Sequence, residues 1–408
     1  MSPKKSLAAC LLFGICLVQP AYAQEVDGTR FRAPEEGSWY HAIEPRSWLH
    51  VGGDLAEIEA TLLTIEESAA PGEVPDDPTR RGAGSWIGEW QAAGERAFGE
   101  AEAIAETGDD DRAEARYMAA MSYFLRASSP HTNDPEQRAA LAQAQLAYEK
   151  AGQYLPVPLQ KLEISQDDGV FTGLLHLPEG DGPFPVVVVS MGSDVTKEEL
   201  LPYFTKQLSL RGIAMVSIDM PGIGSSASYS FSPDLDKLHA ATVEHLKALP
   251  QIDAKNIFVQ GASFGGTPVA RIWAARPELD LAGVVYMCGP LHRPFMAPPE
   301  AYSHFPAFTM DGVRTRFGLA PHAGFDEIAE FARTLSFKKQ GLFDGGKIKT
   351  PILAVLTNDD PVAPIEDLEA LLARAEDRLT IVYDEPGHCP QRDTREATAA
   401  SWILEKIR

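Results

Sequence analysis

The chain has 408 residues, 44% of them hydrophobic, and a formal net charge of −22. That length allows a large buried core and two domains, while the acidity argues against nucleic acid or anionic lipid as partners. Four cysteines are too few for a disulfide scaffold.

Residues 1–23 read as an export signal: Lys4 and Lys5, an apolar stretch from Leu7 to Val18, and a small-x-small cleavage site at Ala21-Tyr22-Ala23. The stretch is too short to span a membrane, so the expectation is a periplasmic or secreted protein cleaved after Ala23. Its removal takes Cys10 and Cys16 and leaves 34 basic against 58 acidic side chains. No later segment has the apolar length of a membrane helix. Residues 24–50 are aromatic and irregular.

From Asp54 the spacing turns helical. Leu55, Ile58, Leu62 and Ile65 fall on one face of a helix over 54–68. A loop by composition follows (PGEVPDDPTRRGAG). Trp86, Ile87, Trp90, Phe98 and Ile104 mark a long helix, and Ala113 to Ala127 another. Asp134-Pro-Glu-Gln137 carries an N-cap acid, a proline at the first helical position and a glutamine three residues after the cap. The helix that it opens is expected to stop at Gly152. No tetratricopeptide-type repeat is present. Residues 24–155 therefore form a helical N-terminal region, expected to cap the site with aromatic side chains to spare for a second surface.

From Pro156 the pattern changes. Residues 159–180 (LQKLEISQDDGVFTGLLHLPEG) alternate and turn at Asp-Asp-Gly, which predicts a β-hairpin. Apolar strands alternating with helices follow at Val186–Met191, Ala214–Asp219, Ile257–Gly261, Leu281–Cys288, Ile352–Thr357 and Leu379–Tyr383. Such strands belong to a mostly parallel sheet covered on both faces. The fold class is α/β over residues 156–408, with an aromatic-rich, lid-like insertion at 290–349. In this class the site lies at the carboxyl ends of the strands.

The central stretch is Asn256 to Gly266, NIFVQGASFGG. A short apolar strand, then Gly261-Ala-Ser263-Phe-Gly265, then an apolar helix pattern are the parts of a nucleophile elbow, whose tight turn lifts a serine hydroxyl above the sheet. A serine hydroxyl needs a base, and the base an orienting group. Downstream, in the order expected of such a fold, come Asp359-Asp360 after one strand and His388 after the last. Histidines are absent between His322 and His388. Asp360, at the bend into the next helix, is the preferred acid, with Asp359 the alternative. Backbone N–H groups for an oxyanion are expected from Phe264 and from the loop Met191-Gly192-Ser193-Asp194, with Ser193 the donor. Asp194, an acid beside that hole, either holds the loop or meets a polar group of the substrate.

Asp219-Met-Pro-Gly-Ile-Gly-Ser225 lacks the lysine and spacing of a phosphate loop and reads as a tight turn bordering the pocket. His292, His304 and His322 lack metal-ligand spacing, so neither metal nor cofactor is expected. Cys288 and Cys389 both follow strands at one sheet edge. Two separate buried thiols are the preferred reading and a disulfide is the alternative.

Several motifs together resemble a known group: the elbow, DMPGIGSS, SMGSDVTKEE, LSFKKQGLF, PGHC and AYEKAGQYLPVPLQKLEI. Over residues 85–408 the chain is similar to the α/β-hydrolases grouped with the fermentation–respiration switch protein and pseudooxynicotine hydrolase. The resemblance implies an α/β-hydrolase core under a helical cap, with a Ser-Asp-His triad falling on Ser263, Asp360 and His388. Met191-Gly-Ser departs from the Gly-Gly-Leu of that group, and export departs from its mostly cytosolic habit. The group includes ester hydrolases and carbon–carbon bond hydrolases acting on ketones. The expected partner is a small-molecule substrate, with homodimerisation left open. A prolyl-oligopeptidase-like peptidase and an inactive binding protein on the same fold are the rival readings.

Overall fold

A computed structural model describes residues 38–408 except Asn133. The expected export signal lies outside the described residues. None of the described helices is long and apolar enough to cross a membrane.

The helical region contains α1 (Pro45–His50), α2 (Leu55–Glu67), α3 (Trp86–Ala105), α4 (Asp110–Ser128) and α5 (Pro135–Ala151). Its helix starts follow from local chemistry. Asp54 caps α2 by accepting from the Glu57 N–H, Ser85 caps α3 through Gly88, and Asp134 caps α5 through Glu136 and Gln137. Gly94 lets α3 and α4 approach closely, since a Cβ there would stand 2.5 Å from the Phe124 ring. The aromatic side chains pack among themselves in a core that is continuous with that of the sheet domain, and Trp48 and Trp86 also line a cavity at the junction. Trp48, Trp86, Trp90 and Tyr123 pack edge-on or tilted in one chain of rings, and Phe98, Tyr117 and Tyr154 form a second. Trp86, Trp90, Tyr117, Tyr123 and Phe124 are all buried. Alanine buries little area per residue, so in these alanine-rich helices large rings supply the core that alanines cannot.

The sheet has eight strands: β1 (Gln160–Gln166), β2 (Gly169–His176), β3 (Phe184–Ser190), β4 (Ala214–Ile218), β5 (Ile252–Ala262), β6 (Gly283–Met287), β7 (Ile352–Thr357) and β8 (Arg378–Tyr383). Their spatial order is β1-β2-β4-β3-β5-β6-β7-β8. The hairpin β1–β2 turns at Asp167, which takes φ +50°, and β2 pairs antiparallel with β4. All the remaining pairs are parallel.

The valine run of β3 follows from its two covered faces. Val186 and Val188 face a core shared with α7 (Lys237–Lys247), α8 (Gly266–Ala275) and α11 (Ile365–Leu372). Val187 and Val189 face a core built with α12 (Arg392–Lys406) and the helical stretch 197–211, which contains α6 (Leu201–Tyr203). That second core continues without interruption into the rings of the N-terminal helices. A third cluster belongs to the segment between β6 and β7, which carries α9 (Ala307–Arg316) and α10 (Phe325–Thr334). Phe295, Phe317 and Ile328 of that segment meet Met220, Phe231 and the side chain of Phe264.

Candidate active site

The carboxyl ends of β3 to β8 deliver the candidate residues to one edge. Ser263 follows β5 directly and adopts φ +54°, while Ala262 before it is extended. A left-handed conformation is costly for a residue with a Cβ, and the neighbouring glycines make it attainable here. A Cβ on Gly261 would lie 2.1 Å from the Gly265 carbonyl oxygen, and one on Gly265 would lie 2.4 Å from that of Met191. A Cβ on Gly266 would meet the Met287 carbonyl at 2.9 Å. The turn therefore passes between β3 and β6 with no room for side chains, and the serine is pushed up out of the sheet.

Ser263 Oγ stands 2.7 Å from His388 Nε2. His388 Nδ1 stands 2.8 Å from Asp360 Oδ2 and 3.0 Å from Oδ1. An Nδ1–H given to the carboxylate leaves Nε2 with the lone pair that a serine proton needs. Asp360 is buried and also accepts from the N–H groups of Val362 (2.8 Å), Ala363 (3.1 Å) and Cys389 (3.0 Å). Burial pushes its pKa up. The bonds from His388, Cys389 and Val362 outweigh burial and hold it below the usual carboxylate range. Asp359, the alternative acid, is exposed.

Gly192 runs past the nucleophile: a Cβ there would touch Ser263 Cβ at 3.4 Å and Oγ at 3.5 Å. Val195 N–H donates to the Gly192 carbonyl (3.3 Å), closing a tight turn. Among the described residues no acceptor takes the Ser193 N–H. Phe264 N–H opens the helical turn after Ser263, and its ring is fixed against Phe231 (4.9 Å) and Phe295 (5.8 Å). Asp194 is engaged by its own loop, with Ser193 Oγ donating to it (3.2 Å) and the Arg316 guanidinium 3.3 Å away. Burial raises the Asp194 pKa by more than Arg316 and Ser193 lower it.

Cys288 and Cys389 are bonded to each other, with Cα atoms 5.3 Å apart. The reading as two separate thiols is thereby replaced. Both residues take positive φ, +45° and +65°, after β6 and β8. β7 lies between those strands, so the bond arches over the end from which Asp360 projects. The two sulfurs, Asp360 and His388 cluster closely enough for a metal, but the sulfurs are bonded and the imidazole holds the carboxylate. A second such cluster is His50, Asp393 and Glu396. Burial, Arg392 and Lys206 together depress His50 to about 4, and those two positive charges oppose a cation there.

Two buried groups near the site are not marked by the sequence as site residues. The buried Lys197 Nζ binds Asp219 Oδ2 (2.8 Å) and Glu198 (2.7 Å), and its N–H reaches Asp219 Oδ1 (2.9 Å). Ser225 also donates to Asp219 through N–H and Oγ. The DMPGIGSS turn is thus locked to the loop after β3 by a buried ion pair, which suits a turn bordering the pocket. The second group is Arg316, at the end of α9.

A cavity of about 160 Å³ opens between the helical region and the core. Trp48, Trp86, Arg126, His131, Asp194 and Phe308 are among its walls. Burial, then Arg316 and Arg126, drive the His131 pKa well below its ordinary value, so the imidazole is neutral.

The model of the esterase FrsA-like family matches residues 18–398. The chain belongs to the FrsA-like esterase family. Esterase FrsA of Yersinia pestis (strain Pestoides F) is 30% identical over 376 residues, 91% of this chain and 89% of the relative. Esterase FrsA of Klebsiella pneumoniae (strain 342) is 29% identical over 345 residues, 83% and 81% of the two chains. Among solved structures, 2,6-dihydroxy-pseudo-oxynicotine hydrolase aligns with a TM-score of 0.70 at 20% identity, covering 89% of this chain and 96% of that one. AbyA5 aligns at 0.62 and 19% identity, covering 89% and 99%. These likenesses establish the α/β-hydrolase fold. This FrsA-like chain is a hydrolase, and its relatives are named esterases.

Proposed function

We propose that this FrsA-like chain is an exported serine esterase acting on a compact, aromatic-bearing carboxylic ester. Ser263 attacks the carbonyl. His388 takes the serine proton and passes it to the leaving alcohol, and Asp360 holds the imidazole in the required tautomer. The Ser193 and Phe264 N–H groups receive the oxyanion. Water, activated by His388, then releases the acyl group from Ser263.

The observation that carries this reading is the 2.7 Å contact between Ser263 Oγ and His388 Nε2, made by a serine held at φ +54°. The aromatic preference is supported by the rings of Phe231 and Phe295 packed on Phe264 beside the nucleophile. The cavity of about 160 Å³, with Trp48, Trp86 and Phe308 in its wall, meets the site only through Asp194 and Val195 of the oxyanion loop and has no triad residue in its lining. Closure by the helical region would exclude water and strengthen the anion hole.

A panel of chromogenic esters and aryl ketones, run with wild type and Ser263→Ala, tests the proposal. Ester turnover with kcat reduced by at least about 10³-fold in the variant supports it. Turnover of ketones alone would make the enzyme a carbon–carbon bond hydrolase. No turnover of either class would favour a binding protein. Trp86→Ala and Phe308→Ala should reorder the substrates, and an unaltered kcat/KM for all of them would remove the cavity from the account.

A further inference from the structure

Arg316 ends α9 inside the β6–β7 segment and is completely buried. A buried guanidinium has five N–H donors to satisfy, and the places where these go are informative. Nε donates to the Ser193 carbonyl. One terminal nitrogen donates to the Gly312 carbonyl (2.8 Å), and both terminal nitrogens reach the Pro130 carbonyl at 3.4 Å. Asp194 Oδ1 is 3.3 Å from the second nitrogen. The partners thus come from the helical region, the loop after β3 and α9 itself. The β4 loop joins them, for Phe231 N–H donates to the Arg316 carbonyl (2.8 Å), and a Cβ on Gly222 would lie 2.8 Å from Arg316 Cα.

We infer that Arg316 is a positioning residue of the oxyanion hole, anchoring Ser193 by its carbonyl so that the residue carrying the N–H donor cannot swing away from Ser263. The inference rests on the esterase reading above. Its basis is peptide geometry. Each peptide unit is planar, so the Ser193 N–H lies in the Gly192–Ser193 plane, and swinging of that plane about the Ser193 backbone is opposed from both sides only when the plane beyond its Cα is held as well. The plane before it, Gly192–Ser193, is set by the Val195 N–H bond to the Gly192 carbonyl. The plane after it, Ser193–Asp194, has its carbonyl on Arg316. Gly192 does not supply this stiffness, because glycine is the most permissive of residues. Asp194 Oδ1, 3.3 Å from the guanidinium, sets the acid beside the anion hole against the positive charge of Arg316.

Arg316→Gln and Arg316→Lys, each checked for a cooperative thermal transition, are assayed beside Ser263→Ala on the best ester substrate. Arg316→Gln should lose about 10- to 100-fold in kcat, short of the loss of a whole donor, with KM within about 3-fold by the same reasoning. A trifluoromethyl ketone should bind more weakly by the factor lost from kcat/KM, and Arg316→Lys should recover part of the loss. A folded Arg316→Gln enzyme with wild-type kcat overturns the proposal, as does a rise in KM alone. If neither variant folds, a crystal structure of the wild-type adduct with that ketone decides. An oxyanion about 2.7–3.1 Å from the Ser193 nitrogen, with Arg316 still on the Ser193 carbonyl, supports it, and an oxyanion bonded elsewhere overturns it. Full activity in Ser263→Ala would instead remove the esterase mechanism itself. An inactive Ser263→Ala beside an unaffected Arg316→Gln would remove only the role of Arg316.

Discussion

Asp360 holds His388 and the residue after it at once: Oδ2 accepts from His388 Nδ1 at 2.8 Å and from Cys389 N–H at 3.0 Å. One carboxylate therefore sets both the tilt of the imidazole and the path of the loop that carries it. The proton-accepting nitrogen is directed at Ser263 as a consequence.

Asp360→Asn should therefore cost far more than Asp359→Asn. The amide presents a hydrogen toward Nδ1 or leaves the imidazole in the wrong tautomer, a change worth about 10³–10⁴ in kcat where such triads have been dissected. Asp359 is exposed, and its replacement should leave kcat within about 2-fold, as for surface positions generally. Steady-state kinetics of the two variants check this, and a crippled Asp359→Asn would reverse the assignment.

The Cys288–Cys389 bond makes a different prediction. Thiol counting on the unfolded, unreduced protein, with residues 1–23 removed, should find no free thiol. Cys288→Ser should lower stability by about 2–4 kcal/mol, the usual effect of closing a long loop. It should also lower kcat more than KM, because the released end of the histidine loop still binds substrate but aims His388 less well. Two free thiols in the wild-type protein would exclude the bond.

Gly265→Ala should prevent folding of the elbow. Its methyl would sit 2.4 Å from the Met191 carbonyl oxygen and 2.7 Å from that of Ser190, both backbone atoms of a buried strand end. Neither can move without disturbing β3 and the oxyanion loop. Far-ultraviolet circular dichroism and soluble yield provide the check, and a soluble, fully active Gly265→Ala would contradict the description of the turn.

Glu396 gives a pH dependence whose sign is fixed. Burial raises its pKa to about 7 from an ordinary value near 4.5, more than Arg392 and Arg395 lower it. A carboxyl with a raised native pKa binds its proton more tightly when folded, so its stabilising contribution is full below about pH 4.5 and fades as pH rises through 7. Glu396→Gln keeps the uncharged shape at every pH. Its Tm relative to wild type should therefore rise between pH 4 and pH 8, by roughly 1–3 °C. A Tm difference that stays flat or falls over that range would contradict the assignment.

Much of the fold was legible because both faces of the sheet are covered. A valine run such as Val186–Val189 suits a strand buried on both sides and little else, and Asp134-Pro135 announces a helix start by its own hydrogen-bonding chemistry. The elbow was legible for the same local reason: small residues on each side of Ser263 are a steric requirement of the turn. What escaped was non-local. Arg316 finds its partners at Ser193 and Pro130, 123 and 186 residues away, and an arginine at a helix end carries no sign of such a destination. Lys197 and Asp219 lay in recognisable motifs, but their pairing depends on β3 and β4 being neighbours. The aromatic residues of α3 and α4 were legible as apolar but not as to which surface they would cover, since ring-on-ring packing is decided by the other helices.

The central claim is that Ser263 is the nucleophile, and labelling by a fluorophosphonate tests it most directly. Intact-mass measurement after reaction should give one adduct per chain, peptide mapping should place it on Ser263, and His388→Ala should slow its formation by about 10³-fold or more. An unlabelled protein, or an adduct that persists on Ser263→Ala, would contradict the account.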